Sequence, residues 1–303
     1  MKKIFWLITL LFSINIFAQT DSTNTVNKFE EIICYRYNFF QGDTLVYRVY
    51  AHDSIIIGMD KPLLRIREEH HQIVCDSVGK KNGYYYLNMK MIDYNAIESN
   101  NNMKNIERKS SPWLNRKVFF VMDSLGNRIS SKVENENLFA MSPGGAFNPH
   151  LFFSINGYCK NAKESWISQS LDTLAENGNP YPLVERTLLF RAYEEKDTLG
   201  QICLNLTYIS TGQGSVSLAT EKENITVTSV LAGSGNMYIS KKDLIPVYKF
   251  ANIEQKLRIF TPEDEDGNPA WHFTSMEYFL EKFKPGKFRY ETPKNNKKNK
   301  KRK

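Results

Sequence analysis

The sequence predicts a mainly β protein whose strands pair antiparallel and form two related lobes. Residue types enriched in strands, Tyr, Phe, Val, Ile and Thr, are abundant throughout the chain. Turn motifs built on Asp and Gly recur between these strand-like runs, and helical periodicity is weak almost everywhere. Hydrophobic residues make up 41% of the chain and aromatic residues 13%, which is enough for a substantial core.

The N-terminus has the three parts of a secretory signal peptide. Two lysines precede an apolar run from Ile4 to Ile16, and Ala18 supplies the small residue before a cleavage site. The run is too short to span a bilayer of about 30 Å comfortably, although an uncleaved N-terminal anchor is an alternative. We therefore expect a signal peptide over 1–18 and a polar leader over 19–28.

The predicted location is the periplasm or the extracellular space. The first cysteine, Cys34, comes long after the apolar run, so the chain has no lipobox for lipid attachment. No later segment is apolar and long enough to cross a membrane once the signal is removed.

Much of the formal net charge of +7 comes from the C-terminus, where six basic residues lie between Lys297 and Lys303. A run of like charge this polar cannot fold, so we expect a disordered basic tail over 291–303 that can contact an anionic surface or remain solvated. The rest of the chain is close to neutral. Since the basic charge is not spread over a face with aromatic residues, nucleic-acid binding is not predicted.

Turn motifs punctuate the strand-like runs. In the tetrapeptide Asp-Ser/Thr-apolar-Gly, the Asp carboxylate caps the turn and Gly takes the left-handed backbone conformation. The motif occurs at 76–79, 123–126 and 197–200, with a relative at 172–175 leading to Asn177-Gly178. Asp264-Glu265-Asp266-Gly267, Gly212-Gln213-Gly214-Ser215 and Gly233-Ser234-Gly235 are also interpreted as turns. Each turn is expected to join two antiparallel strands.

The runs between the turns are predicted strands. The alternation of residue types in Thr226-Val227-Thr228-Ser229-Val230 is typical of a strand with two different faces. Asp93 to Ser111 is predicted to be a long loop, and Ser142-Pro143-Gly144-Gly145 to begin a connection that ends near Asn156. The predicted strands are Thr44 to Tyr50, Leu63 to Cys75, Tyr84 to Met91, Arg116 to Met122, Leu183 to Tyr193, Gln201 to Ile209, Asn224 to Leu231, Asn236 to Ser240, Ile245 to Ile253, Gln255 to Phe260 and Trp271 to Phe283.

The two halves of the chain resemble each other. Short motifs recur in the same order about 115 to 121 residues apart, a period too long for a repeat array. We interpret this as a duplicated domain, with lobes over 29–150 and 151–290; coincidence among β-rich segments is the alternative. The recurring pairs are Pro62-Leu63-Leu64-Arg65 with Pro182-Leu183-Val184-Glu185-Arg186, Leu87-Asn88-Met89 with Leu204-Asn205-Leu206, and Phe119-Phe120-Val121 with Met237-Tyr238-Ile239.

Four cysteines, Cys34, Cys75, Cys159 and Cys203, are present in a chain that we expect to be exported. They permit two disulfides in three connectivities, and buried free thiols are equally compatible with the sequence. No CxxC motif indicates a zinc ribbon or a redox site.

No catalytic, cofactor-binding or metal site is predicted. Glu69 and His71 would share one face of a strand and could supply two ligands, but a metal site needs more, so ordinary polar surface is favoured. The acidic run 263–266 lacks the spacing of a calcium loop. HExxH and GxSxG motifs are absent. The five histidines are His52, His70, His71, His150 and His272.

Aromatic residues are dense along the predicted strands. Alternate strand residues face opposite sides, so these aromatics can form both a core and a ligand-lining surface. The groups are Tyr84-Tyr85-Tyr86, Phe119-Phe120, Phe147, Phe152-Phe153 and Tyr278-Phe279.

An aromatic lead-in from Tyr35 to Phe40 precedes Gly42-Asp43-Thr44-Leu45-Val46-Tyr47, and glycine-spaced strands occupy Gly212 to Val247. This order resembles a family of exported bacterial envelope proteins of unknown function with a lipoprotein-carrier-like fold. The resemblance implies strongly curved antiparallel sheets, wrapped as a half-barrel, that hold an apolar ligand or dock to another envelope protein. It transfers no functional residue.

The expected function is therefore that of a non-enzymatic envelope protein binding an apolar ligand or a protein partner on a curved sheet. The alternatives are a structural or adhesion-type module without a ligand cavity, and a secreted hydrolase. A carrier should have an apolar groove, an interaction module an exposed aromatic patch, and a hydrolase two carboxylates in a cleft.

Overall fold

The computed structural model describes residues 32–58, 60–111, 113–133, 151–156, 159–173, 183–219 and 224–290. The predicted signal peptide, the polar leader and the basic tail lie outside these ranges. So do Ser142-Pro143-Gly144-Gly145, Phe147, His150 and the turn at Asn177-Gly178. Within the described ranges, no helix has the length and apolar character needed to cross a membrane.

The described residues form fourteen strands and no helix, which confirms the predicted fold class of a mainly β protein with antiparallel strands. The strands are β1 Ile33–Cys34, β2 Thr44–Ile57, β3 Leu63–Val78, β4 Tyr85–Ser99, β5 Ile106–Arg108, β6 Lys117–Met122, β7 Arg128–Val133, β8 Cys159–Lys160, β9 Ser165–Thr173, β10 Leu183–Thr198, β11 Gln201–Ala219, β12 Asn224–Ser240, β13 Pro246–Thr261 and β14 Asp264–Lys284.

Twelve of these strands form one large antiparallel sheet with the order β7-β6-β4-β3-β2-β14-β13-β12-β11-β10-β9, and β5 pairs with β4. The strands from β2 to β7 and from β9 to β14 thus form two consecutive series, each joined mostly by hairpins. The last strand, β14, pairs with β2 and joins the two series into one sheet. The short strands β1 and β8 pair separately.

Two glycine-rich segments that the sequence predicted as turns lie inside strands, so that interpretation is wrong. Gly212 lies within β11, opposite Leu231, whereas Gly233 and Gly235 lie within β12. A Cβ on Gly235 would lie 2.5 Å from the hydroxyl oxygen of Tyr208. Gly235 therefore has no side chain because the ring of Tyr208 passes over it. Close approach of a neighbouring side chain, and not only a turn, can thus require glycine.

The Asp-Gly turns at 123–126 and 197–200 are confirmed. Asp123 Oδ1 accepts hydrogen bonds from the backbone N–H groups of Leu125 and Asn127, each at 2.9 Å. Gly126 and Gly200 have positive φ angles of 84° and 73°.

The predicted turn at 76–79 is misplaced, because β3 continues to Val78 and it is Gly83, not Gly79, that has a positive φ angle, of 69°. The acidic tetrapeptide at 264–267 differs, because it begins β14 and the chain reverses just before it. The predicted loop over 93–111 is also wrong in part, since it contains the end of β4 and all of β5.

The core fills one face of the large sheet, which we call the inner face. Two extended segments, Tyr35 to Phe40 and Leu151 to Asn156, pack against it with their aromatic rings. The rings of Phe39 and Phe152 lie 5.5 Å apart, and the Tyr37 hydroxyl accepts a hydrogen bond from the Phe153 N–H at 3.1 Å. The predicted aromatic lead-in is therefore a part of the core.

One disulfide connects the chain just before the first of these segments to the chain just after the second. It links Cys34 in β1 to Cys159 in β8, across 125 residues of sequence. Cys75 and Cys203 are free and buried, and burial raises the pKa of their thiols to about 12 and about 11. The structure thus combines the two alternatives that the sequence left open, one disulfide and two buried thiols.

The recurring sequence motifs lie in strands that occupy corresponding places in the two series. The first pair begins β3 and β10, the second lies in β4 and β11, and the third lies in β6 and β12. This placement agrees with a duplication. Both the duplication and the division into two lobes near residue 150 stay predictions.

Candidate binding groove

The face of the large sheet opposite the core, which we call the outer face, carries two rows of side chains across five neighbouring strands. Residues directly opposite each other on paired strands point to the same face, so the register defines each row. The first row is Ala232, Glu254, Phe273, Ser54 and Leu64, and the second is Ser234, Asn252, Ser275, His52 and Ile66.

These two rows line a groove of about 760 Å³, which we call the apolar groove. Leu64, Ile66 and Phe273 are 52%, 49% and 40% exposed, so each presents apolar surface to solvent. Ala232 and Ser234 on β12 contribute only small side chains to the lining, and Asn252 and Glu254 on β13 line the groove between them and Phe273. Its volume is within the range of about 300 to 1,000 Å³ that is typical of small-molecule sites.

A second groove of about 570 Å³ adjoins it on the same face, and we call it the polar groove. Gln213 donates a hydrogen bond to Glu185 at 2.9 Å, and Arg258 donates one to the backbone oxygen of Asp266 at 2.9 Å. The outer-face residues that line it are Glu185, Gln213, Ser215, Thr228, Val230, Lys256, Arg258, Pro269 and Trp271.

A row of aromatic rings crosses the outer face farther along the same strands. Tyr238, Tyr248 and Phe279 lie opposite one another on β12, β13 and β14, and Arg48 on β2 continues the row. Ring centroids are 5.5 Å apart for the tyrosine pair and 5.1 Å apart for Tyr248 and Phe279. These rings are half-buried. The row therefore differs from the exposed aromatic patch expected of an interaction module.

A chain of buried polar side chains lies on the inner face behind the apolar groove. Arg67 donates hydrogen bonds to Asp53 at 2.8 Å and to Glu69 at 2.5 Å. The ring of His71 lies 2.8 Å from Glu69, and that of His272 lies 3.0 Å from Asp53. This buried polar chain connects β3, β2 and β14.

The charges of this chain are mutually stabilised. Burial alone would raise the pKa of Glu69, but the charge of Arg67 and the hydrogen bond of His71 outweigh it and lower that pKa to about 2. Burial likewise opposes ionisation of Asp53, yet the hydrogen bond of His272 and the charge of Arg67 lower its pKa too. The carboxylates raise the pKa of Arg67 in spite of its burial. Both carboxylates are therefore ionised and paired at neutral pH.

Glu69 and His71 are only 4% and 6% exposed, so the prediction of an ordinary polar surface at these residues is wrong. Both are buried because Arg67 pairs with the carboxylate of Glu69, which in turn contacts the ring of His71. The two side chains do share a face, but each oxygen of Glu69 already contacts Arg67 or His71. Among the described residues, no group of three or more His, Cys, Asp or Glu side chains could hold a metal ion.

Two of the described histidines, His71 and His272, belong to the buried polar chain. His52 lines the apolar groove. His70 lies near Asp93 and Glu281, at 3.5 Å and 3.4 Å.

Lys249 occupies an unusual position in the interior. It is fully buried, with its ammonium nitrogen 3.6 Å from the ring centroid of Phe153 and 5.5 Å from that of Tyr278. Burial, and secondarily the charge of Arg186, lowers its pKa well below the ordinary value. No sequence signal identified this residue, because an alternating strand pattern does not distinguish a buried lysine from an exposed one.

The fold and its outer face define a large open antiparallel sheet with two adjoining grooves and a filled inner face. No protein-family model matches the chain, and no curated protein matches it. Among solved structures, a “putative exported protein with YmcC-like fold” from Bacteroides fragilis NCTC 9343 matches 83% of this chain and 100% of its own. The identity is 12% and the TM-score is 0.26, so no property of that protein is transferred to this chain.

Proposed function

We propose that this chain is an exported, non-enzymatic protein that binds an apolar ligand in the apolar groove. The observation that carries the proposal is the exposure of Leu64, Ile66 and Phe273 around one open groove of about 760 Å³. Covering the exposed part of each of these side chains would contribute on the order of 1 kcal/mol.

The filling of the inner face supports an outer site. Tyr35, Tyr37 and Phe39 are almost completely buried against the inner face, together with Phe152 and Phe153. A ligand on that side would have to displace these rings. The outer groove needs no such displacement.

The ion pairs near the groove support binding rather than hydrolysis. Asp53 and Glu69 are held by Arg67 on the opposite face of the sheet, and Glu254 lies 3.5 Å from Lys256. A hydrolase of the sugar type needs a raised pKa on one of two carboxyl groups in a cleft, whereas the buried carboxyls here have lowered pKa values.

A titration with the uncharged apolar fluorophore N-phenyl-1-naphthylamine tests the proposal. We expect saturable binding to the chain, and an Ile66→Ser variant should bind about fivefold more weakly, because the lost apolar contact is on the order of 1 kcal/mol. Ile209→Ser is the matched control. Ile209 lies in the same register row, is 58% exposed and does not line the groove.

The proposal fails if the fluorophore does not bind saturably, or if both substitutions weaken it equally. A filling variant, Ala232→Trp, adds a second measurement, since it occupies the groove without removing any contact. It should also reduce binding, and its melting temperature shows whether the fold is retained.

The aromatic row favours a second candidate function, docking of a protein partner. Tyr248 is already engaged in a hydrogen bond to Glu277 at 3.0 Å, and its ring lies against Phe279. In a pull-down, the immobilised chain is incubated with an envelope extract. A Tyr248→Ser variant that still binds the fluorophore but no longer retains a protein from this extract would favour this function over the first.

A further inference from the structure

The apolar and polar grooves adjoin along three strands. Each of β12, β13 and β14 carries one residue of the apolar groove and, two positions along the same strand, one residue of the polar groove. Both residues of each pair lie on the outer face. Two residues along a strand span about 7 Å. A single elongated ligand can therefore occupy both grooves. The neighbouring pairs are Ala232 with Val230, Glu254 with Lys256, and Phe273 with Trp271.

The two grooves differ in chemistry. The apolar groove offers Leu64, Ile66 and Phe273, which can contact a hydrocarbon chain. The polar groove offers an indole ring together with amide, hydroxyl and charged groups. A ligand that matches both must be an amphiphile.

The charges around the polar groove argue against a strongly charged headgroup. Lys256 and Arg258 provide two positive charges, and Glu185 and Glu254 provide two negative ones. Lys256 lies 3.5 Å from Glu254, and Arg258 contacts the hairpin that contains Asp264 and Asp266. An anion would meet these carboxylates and a cation would meet these basic groups.

A hydroxyl-rich, uncharged headgroup fits such a mixture. Its hydroxyls both donate and accept, so they can bond to Gln213, Glu185 and Lys256 alike. The C–H face of a sugar ring can lie against the half-buried indole of Trp271.

We propose that the ligand is a glycolipid-type amphiphile, with its alkyl chain in the apolar groove and its sugar headgroup in the polar groove against Trp271. This inference rests on the proposed function, because it assigns the second part of a ligand whose first part occupies the apolar groove.

Three amphiphiles with the same octyl chain test the headgroup directly. Octyl β-D-glucoside, octyl phosphate and octyltrimethylammonium are titrated below their critical micelle concentrations, by displacement of N-phenyl-1-naphthylamine. We expect the glucoside to bind about tenfold more tightly than either charged compound. Trp271→Leu should remove this preference while fluorophore binding, which uses the apolar groove, stays within about twofold.

The outcomes separate this inference from the proposed function. Equal affinity of the three octyl compounds, or tighter binding of a charged one, overturns the sugar headgroup while fluorophore binding still supports the apolar groove. Absence of fluorophore binding to the unsubstituted chain overturns both. A second variant, Gln213→Ala, removes one polar group of the polar groove from an exposed position. If its melting temperature is unchanged, a loss of the preference for the glucoside in this variant is not due to misfolding.

Discussion

Asp43 and Arg289 show how two side chains distant in sequence can hold the segment before β2 against the segment after β14. Asp43 is completely buried and accepts hydrogen bonds from the N–H groups of Phe40 and Gly286, at 2.8 Å and 2.7 Å. Arg289 forms an ion pair with it and donates to the backbone oxygens of Asn38 and Asp243, at 2.6 Å and 2.9 Å. The segment after β14 is thereby attached beside the start of β2.

We expect Arg289→Met to lower the free energy of unfolding by about 3 to 5 kcal/mol, because it leaves the Asp43 carboxylate buried without its charged partner. Urea denaturation measures the change, and Lys287→Met, a substitution of an exposed neighbour, is the control. A loss below about 1 kcal/mol for Arg289→Met would show that the ion pair does not hold this segment.

Glu69 carries a prediction about acid stability. Its pKa is lowered from 4.5 to about 2 in the folded chain. A carboxylate with a lowered pKa stabilises the fold above its ordinary pKa, and this contribution disappears as the pH falls through the folded value. The contribution is about 3 kcal/mol, and the free energy of unfolding should lose it between about pH 5 and pH 2.

A Glu69→Gln variant should therefore show a shallower decrease in the free energy of unfolding over this pH window, in addition to lower stability at neutral pH. Glu68→Gln is the matched control, because Glu68 faces the other side of β3 and its ion pair with Arg48 is exposed. Identical slopes for the unsubstituted chain and Glu69→Gln would refute the role of this residue.

At the scale of single elements, the local pattern predicted the type of structure better than its extent. Alternating residues and Asp-Gly turns placed most strands correctly, since both signals arise from a few neighbouring residues. Gly212, Gly233 and Gly235 were misread as turns. A glycine at a reversal and a glycine that is crowded by the neighbouring strands look alike in sequence, and only the register distinguishes them. A Cβ would meet the backbone oxygen of Glu185 at Gly212, that of Asn252 at Gly233, and the side chain of Tyr208 at Gly235.

Gly235 can test this explanation. We expect Gly235→Ala to lower the free energy of unfolding by about 1 to 3 kcal/mol, because the new methyl group meets the backbone oxygen of Phe250 and the ring and hydroxyl of Tyr208. Ser234→Ala, at the exposed neighbouring position, should change it by less than about 0.5 kcal/mol. Thermal denaturation of both variants provides the comparison, and equal effects would contradict the proposed close contact.

The disulfide between β1 and β8 is a second element whose effect can be measured. It closes a loop of 125 residues, for which the loss of chain entropy in the unfolded state corresponds to about 5 kcal/mol. A Cys34→Ser/Cys159→Ser variant should have a much lower melting temperature that does not change with reductant. If reductant lowers the melting temperature of the variant as much as that of the unsubstituted chain, the stabilisation comes from elsewhere.

At the scale of the whole molecule, the candidate site depends on contacts that no local pattern contains. The apolar groove needs β12, β13 and β14 beside β2 and β3, so residues such as Leu64 and Ala232 line one groove only because the last strand pairs with β2. The sequence predicted a binding surface on a curved sheet, but it did not indicate which face. That choice follows from the two extended segments, Tyr35 to Phe40 and Leu151 to Asn156, whose aromatic rings fill the inner face.

The same long-range contacts bear on the two predicted lobes. Phe39 and Tyr37, from the range 29–150, pack against Phe152 and Phe153 from the range 151–290, and β2 pairs with β14. We therefore expect a fragment of residues 29–150 to lack cooperative unfolding when it is produced alone, because it loses the partners of its buried rings and one neighbour of β2. Near-ultraviolet circular dichroism and urea denaturation measure this. Co-production of fragments 29–150 and 151–290 is the control, and it should restore a cooperative transition. A cooperative transition in fragment 29–150 alone would instead show that each half of a duplicated chain keeps its own stable core.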